Sequence, residues 1–450
     1  MLSTALEKRI KRQVIGKPHR FLASAPLGFE QTLVHELLGF GLEFADTESS
    51  PHIVGDGKVE FTAKITESWK AVAYSRIANR ILMHIADFKA ENFRDLEKKA
   101  AEIPWELYLS DERTGYALQT RDERSISSNS LRIHVTCKHS RLYHSDAIAE
   151  RLQSAIISHF TLNTPHSPFQ SLYVTLIDDR CTIWLDLAGE ELYKRGHERF
   201  VNEAPLKETI AAAMIFESSH CLPSTSYCLL DLMAGSGTFS LEAAYMANGL
   251  IPGKCRDFAL KHQPAFKPAT WNHIVKQERV ILSETPNGVK SKNLIARILT
   301  SDISPKAVEI IKHNVECCPL ANIEYKPINP QLRDFFSYTA PEIAELCGES
   351  SPVIVLNPPY GKRLDFDAPK LYTQIGKKLA ELSRDLTPLG KPLTVAILAP
   401  KDDSRPGSAY TCTANLLREC PGLSPDHNPA AKCIATSHGG FSLNIFIAKI

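Results

Sequence analysis

The sequence predicts a doubly wound α/β domain, built on a mostly parallel sheet, behind a smaller α+β region. Three stretches carry the prediction. Tyr227–Leu230 is a short apolar run that ends in Asp231, passes a turn with Gly235 and Gly237, and opens into a helical pattern of Phe239, Leu241, Ala243, Ala244 and Met246. The stretch 293–302 repeats the theme. It ends in Asp302 and leads to a helix with Ser304 as cap and Pro305 at its first position. Val353–Leu356 is a third apolar run, and it delivers Asn357, Pro358, Pro359 and Tyr360. Short apolar runs bounded by turns read as strands covered on both faces. Ligands of such sheets bind at the carboxyl ends of the strands.

Composition sets the bounds. A chain of 450 residues holds two or three domains. Its hydrophobic fraction of 43% and charged fraction of 23% are those of a globular protein. A formal net charge of +1 excludes a global field, so any nucleic-acid contact must come from local basic patches. One patch is Lys8, Arg9, Lys11, Arg12, Lys17 and Arg20, where Glu7 is the only acid. Its competing reading is a frayed, solvated tail. No run of about 18 apolar residues and no signal-peptide pattern occurs, which makes the cytoplasm the expected compartment. The 11 cysteines form no C-x-x-C pair, so reduced thiols and no metal site are expected.

Taken in order, Phe21–Gly41 reads as a strand, a turn and an amphipathic helix striped by Leu33, Leu37 and Leu38 and ended by Gly39 and Gly41. Val59–Ile65 alternates as a strand. Trp69–Ile85 carries Trp69, Val72, Ala73, Ile77, Ile81 and Leu82 at helical spacing, so one helix is expected there. A second α+β unit spans about 117–200. It holds a strand at Leu131–Lys138, a helix over 144–160 with Ser145 as cap, a Pro-rich loop over 161–170, and a hairpin at Ser171–Leu187 that turns at Asp178–Asp179.

Beyond the hairpin, DLAGEELYKRGHERF (Asp186–Phe200) is followed by APLKETIAAAM (204–214). Together they resemble the junction between a THUMP domain and a methyltransferase in the family of RNA guanine-N2 methyltransferases, and Gly249–Phe266 also resembles that family. The resemblance runs from about Phe21 to the last residue. It departs at His197, where members commonly carry Tyr. It implies a Rossmann-like class I methyltransferase domain with a seven-stranded, mostly parallel sheet over 201–450. It also implies a ferredoxin-like and THUMP RNA-binding region over 21–200, with residues 1–20 as a basic arm. RNA is the implied partner: large-subunit (23S) rRNA in bacterial members, tRNA in archaeal and eukaryotic ones. Lys138, Arg141, Lys194, Arg195 and Arg199 are the candidate phosphate contacts. The competing reading pairs these cations with Glu190, Glu191 and Glu198 on a solvated surface.

The glycine turn narrows the ligand. A phosphate-cradling loop requires Lys after the glycines, and a dinucleotide fingerprint requires a third Gly where Ser240 stands. Asp-x-x-x-Gly-x-Gly instead suits S-adenosyl-L-methionine. Asp231 suits its amino group, and N–H groups at the helix start, beyond Gly235, Gly237 and Thr238, suit its carboxylate. The helix around Lys207–Phe216 is expected to cover the methionine end. Asp302 is placed for the ribose hydroxyls and Asp334 for the adenine amine. Residues 322–329 are the third-strand candidate and 284–293 a polar loop.

Asn357-Pro358-Pro359-Tyr360 carries the chemistry. An [ND]-P-P-[YF] tetrapeptide after a central strand is characteristic of enzymes that methylate planar nitrogens. Such an amine is a poor nucleophile because its lone pair is delocalised into the base. Two acceptors, the Asn357 side-chain oxygen and the Pro358 carbonyl, can take its two N–H donors and aim the lone pair at the sulfonium methyl. Pro359 helps fix the backbone that presents them. Tyr360 offers a stacking face for a flipped-out base. Gly361, Lys362 and Arg363 are candidates for neighbouring phosphates. A helix over 366–386, a strand at Leu393–Pro400, a connection over 401–429 and a terminal hairpin at Gly439–Gly440 complete the sheet.

The leading function is therefore N2-methylation of guanine in RNA, most directly 23S rRNA, with tRNA as the alternative target. A DNA adenine or protein glutamine methyltransferase would use the same tetrapeptide, though neither needs an RNA-binding region. A different class is an RNA-binding assembly factor with a vestigial site. Because one transferase domain is present, a single activity is expected.

Overall fold

The structure, a computed structural model, describes residues 4–110, 131–159, 170–201, 205–222, 226–276, 295–320, 328–360, 367–403 and 410–450. The Pro-rich loop over 161–169, the polar loop over 284–293, most of the third-strand candidate and Gly361, Lys362 and Arg363 lie outside these residues. Two compact units emerge. The first comprises Met1–Ser24, Phe40–Leu192 and Arg256–Gln277; the second comprises Ala25–Gly39, Tyr193–Cys255 and Glu278–Ile450. The units exchange segments along the chain, so a single cut near residue 200 does not separate them.

The first unit contains β1 (Pro18–Ser24), β2 (His52–Gly55), β3 (Lys58–Lys64), β4 (Arg80–Lys89), β5 (Arg132–Lys138), β6 (Ser171–Ile177) and β7 (Arg180–Asp186). They form one sheet in the order β2-β3-β1-β4-β7-β6-β5, antiparallel except for the β5–β6 pair. Alternation works as the sequence suggests: Val59, Phe61 and Ala63 of β3 are buried while their neighbours are not. Asp178 and Asp179 both have positive φ, 49° and 61°, the backbone that a tight two-residue hairpin needs.

Two expectations are corrected here, and one competing reading falls away. The helix expected over Trp69–Ile85 is a helix only at Ile65–Tyr74. Ser75 then turns extended, and Ile81, Leu82 and Met83 pair with β1 as part of β4. A short apolar run satisfies both periods, and cross-strand pairing decides it. The two small α+β units are one sheet, because β4 pairs with β1 on one side and β7 on the other. The basic arm is no frayed tail. It is a helix at Thr4–Ile10 continued by a wider turn at Lys11–Ile15, and Ile10 and Val14 anchor it while Lys8, Lys11, Arg12 and Lys17 stay exposed.

The second unit carries β8 (Tyr227–Asp231), β9 (Ile295–Asp302), β10 (Gln331–Leu332), β11 (Ser351–Leu356), β12 (Thr394–Pro400), β13 (Lys432–His438) and β14 (Phe441–Lys449). Their order is β10-β9-β8-β11-β12-β14-β13. The first five are mutually parallel, and β14 runs antiparallel beside β12 and β13. The strands β8, β11 and β12 are buried along their whole length apart from Ser351, as continuous apolar runs require. Helices Ala340–Cys347, Ala368–Leu386 and Cys412–Glu419 pack with them into one core. Helix Glu208–His220 packs against β11, β12, β14 and the helix Glu30–Gly39.

That last helix comes from the N-terminal region and is pinned to the second unit. Gly28 has φ 85°, and a Cβ there would meet the Ala435 carbonyl oxygen of β13 at 2.5 Å. Only glycine tolerates both the conformation and the approach. Thr32 Oγ1 donates to Glu217 Oε1 at 2.7 Å, and Lys432 Nζ donates to Glu217 Oε2 at 2.6 Å. Burial alone would raise the Glu217 carboxyl, but these two donors outweigh it and hold the group below its ordinary value.

Candidate active site

Because β8, β9, β10 and β11 are parallel, their last residues fall on one edge. Val355 of β11 pairs with Asp231, and Leu332 of β10 pairs with Asp302. Asp231, Asp302, Asp334 and Asn357 therefore leave the sheet on the same side.

Asp231 is buried at 1% exposure. Its Oδ2 accepts from the N–H of Ser240 at 3.1 Å and from Ser240 Oγ at 2.7 Å, and its Oδ1 has no partner. Ser240, which stands where a dinucleotide fold would have glycine, thus fixes the acid. Burial pushes the Asp231 carboxyl up to about 7, with the two Ser240 bonds pulling the other way. An unpartnered acceptor in such a place suits a cationic donor, as the cofactor's amino group would be. The turn that follows is left-handed at Gly235 and Gly237, φ 57° and 78°, and a Cβ on Gly237 would press on Ile311 at 3.1 Å. Thr238 begins the helix Thr238–Ala247.

Asp302 is bonded at both oxygens by backbone: Gly235 N–H donates to Oδ2 at 2.8 Å and Ser304 N–H to Oδ1 at 2.9 Å. Each oxygen keeps a further lone pair for a ribose hydroxyl. Ser304 caps the next helix and Pro305 opens it, as expected. Asp334 follows β10 and accepts from Phe336 N–H at 3.0 Å, so it also caps a short helical turn.

Asn357 directly follows β11. Its Oδ1 is buried and has no hydrogen-bond partner. An orphaned amide oxygen costs about 1–3 kcal/mol, and native structures carry few of them. Pro358 beside it is buried and Pro359 exposed. Tyr360 is corrected in part. It is only 9% exposed, sits edge-on to Phe441 with centroids 5.8 Å apart, and places its hydroxyl 3.4 Å from His438 Nδ1. Burial pushes its phenol up to about 12. Little remains of an open stacking face, and the exposed ring at this corner is Phe441, at 37%. Sequence reading missed Phe441 and His438, whose only signal is the hairpin glycines between them.

The candidate phosphate contacts divide. Lys138 and Lys194 are exposed. Arg141 is exposed too but pairs with Glu91 and Asp179 rather than with the acids expected. Arg195 and Arg199 are corrections. Arg195 is buried and holds Glu242 through two bonds, Nε to Oε1 at 2.9 Å and Nη2 to Oε2 at 3.0 Å. Arg199 is tied to Glu208, Ser236 and Thr238. Neither offers an open face to a polymer. The β5 alternation instead exposes Arg132, His134 and Thr136 with Lys138, His134 stacks on Tyr173 at 4.6 Å, and Tyr143 is exposed nearby in sequence. Period-two reading of the strand would have found that set.

Among the described residues, no group of three or more His, Cys, Asp or Glu is arranged to hold a metal, and no helix is long and apolar enough to cross a membrane.

A parallel sheet whose acids and Asn-Pro-Pro-Tyr share one edge with a glycine turn defines the class: an S-adenosylmethionine-dependent methyltransferase domain, and the donors present fit that cofactor. Residues 195–389 match the family described as RMKL-like, methyltransferase domain, and residues 20–82 match the RlmL ferredoxin-like domain. The chain is 30% identical over 363 residues to a ribosomal RNA large subunit methyltransferase K/L of Shewanella baltica, covering 80% of this chain and 46% of the relative. It is 28% identical over 373 residues to the protein of that name from Allochromatium vinosum, covering 81% of this chain and 46% of the relative. The chain thus spans about half the length of these curated relatives. The fold is shared with the structure of SMU.472 complexed with SAH (TM-score 0.69, 22% identity, 96% of this chain and 98% of that one). TrmN from Thermus thermophilus also shares it (TM-score 0.57, 16% identity, 96% and 100% coverage).

Proposed function

We propose that the chain transfers the methyl group of S-adenosylmethionine to the exocyclic N2 amine of a flipped-out guanine in RNA, with 23S rRNA as the substrate. One observation carries the reading: the buried, unpartnered Oδ1 of Asn357 on the edge that also holds Asp231 and Asp302. An amine N–H is the donor that satisfies it. Held by this oxygen and by the Pro358 carbonyl, the nitrogen is drawn toward a pyramidal, charged transition state with its lone pair free. No general base is required, because the alkylated amine is a strong acid and loses its proton to water. Asp231 and the glycine turn take the methionine end of the cofactor, and Asp302 and Asp334 take the adenosine end.

The RNA assignment is supported by the names of the relatives and by exposed cations. Arg132, Lys138 and Arg141, with Tyr143 close in sequence, are the phosphate and base contacts of the THUMP-type region, and Lys194 is a separate exposed candidate. The experiment is incubation with labelled cofactor and, separately, total RNA, DNA and protein, followed by nucleoside mapping. The expected product is N2-methylguanosine in large-subunit rRNA. Label in tRNA would move the target, and label only in DNA or protein would reject the reading.

A further inference from the structure

We propose that Arg199 anchors the carboxylate of the cofactor's methionine moiety, a role that rests on S-adenosylmethionine being the ligand of the Asp231–Asp302 edge. Its side chain is only 9% exposed. Nη2 donates to Ser236 Oγ at 3.0 Å and to Thr238 Oγ1, Nη1 donates to Glu208, and Nε is buried without any partner. These hydrogen bonds bring the guanidinium to the start of the helix Thr238–Ala247, whose cap residue, Gly237, supplies no side-chain acceptor.

A helix N-terminus carries a partial positive charge, and a cation beside it is unfavourable unless an anion joins them. Glu208 offsets the guanidinium, which leaves the helix end and the free Nε–H to be matched. A small carboxylate does this with two oxygens, one for the guanidinium and one for the helix N–H groups. A polymer phosphate is a poorer fit, because a side chain so covered is reached only by a ligand that enters the site. The turn is then polarised for a zwitterion. Asp231, whose buried Oδ1 has no partner, is there for the ammonium, and Arg199, bonded to Ser236 within the turn, is there for the carboxylate.

The segment bearing Arg199 is also held in place. Buried Asn314 donates from Nδ2 to the Phe200 carbonyl at 2.9 Å and to the Ser236 carbonyl at 3.1 Å, and its Oδ1 accepts from Phe200 N–H at 2.8 Å. One amide thus ties the residue after Arg199 to the middle of the glycine turn. The guanidinium is positioned before any ligand arrives.

The test is calorimetric binding of S-adenosylmethionine, S-adenosylhomocysteine and decarboxylated S-adenosylmethionine to the full chain. Wild-type protein should bind the decarboxylated compound about 10–100-fold more weakly than S-adenosylmethionine, because a charge-assisted hydrogen bond is missing. Arg199→Gln should weaken both carboxylate-bearing ligands by a similar factor and barely affect the decarboxylated one, so that the discrimination collapses. Arg199→Lys, which keeps a cation, should restore part of it. Equal weakening of all three ligands by Arg199→Gln, or unchanged discrimination in that variant, would overturn the proposal. Failure of the wild-type protein to bind any of the three would instead reject the cofactor reading, and the proposal with it.

Discussion

Both units hold seven strands among the described residues, yet they spend their polar groups differently. In the second unit β8, β9, β10, β11 and β12 are parallel, so five strands end on one edge, and two of the residues delivered there, Asp231 and Asn357, hold buried oxygens with no partner. In the first unit neighbouring strands are mostly antiparallel, and their ends alternate between the two edges. Its distinctive chemistry lies on an exposed strand face instead, where Arg132, His134 and Lys138 alternate with half-buried neighbours. Parallel topology gathers polar groups at a cost of about 1–3 kcal/mol for each one left unsatisfied. An antiparallel face presents charge to solvent at almost no cost. The first arrangement suits chemistry on a small ligand, and the second suits a polyanion.

The comparison breaks most visibly if the second unit is cut as the sequence suggests. A fragment spanning 201–450 lacks Ala25–Gly39, which covers Glu217 and the helix around it. It should show no cooperative thermal transition and no cofactor binding; a transition close to that of the full chain would mean the N-terminal helix is dispensable. A smaller effect is expected at Asp302. Asp302→Ala should weaken cofactor binding by roughly 1–3 kcal/mol by calorimetry, and an unchanged affinity would remove Asp302 as ribose ligand.

Asp231 adds a pH dependence. Its carboxyl is pushed up to about 7, so it is protonated below that pH and anionic above it. Affinity for a ligand bearing an ammonium group should therefore rise as pH increases through 7, and Asp231→Asn should flatten the profile. A wild-type profile falling over that range would contradict the assignment. The first unit is tested by salt. Replacing Arg132 and Lys138 with Gln should reduce the slope of log affinity for RNA against log salt, with cofactor affinity unchanged. The reduction should be about 0.9 for each duplex phosphate no longer neutralised. An unaltered slope would move the RNA surface elsewhere.

Much of the candidate edge was legible because buried parallel strands are continuous apolar runs, and the residue after each run is marked by its polarity. Asp231, Asp302 and Asn357 stood out on that ground alone. Ser304 and Pro305 announced their helix through local capping chemistry, which needs no tertiary knowledge. The errors arose where a distant partner decides. Arg195 reads as surface charge until Glu242, 47 residues on, buries with it. The stretch 77–85 fits a helix until β1 and β7 claim it as a strand. Tyr360 looks open until Phe441 and His438 arrive on a terminal hairpin. Gly28 carried no signal at all, since the strand it approaches lies at the far end of the chain.

The most direct test is single-turnover methyl transfer to rRNA by Asn357→Ala and Asn357→Asp, with cofactor affinity measured on the same preparations. Removing one preorganised partner of the transition state should lower the rate about 10²–10³-fold in the alanine variant. Cofactor affinity should hold, because Asp231, the glycine turn and Asp302 are untouched. The aspartate variant keeps an acceptor and should retain partial activity. Wild-type transfer by Asn357→Ala would contradict the account, since the orphaned oxygen would then have no part in activating the amine.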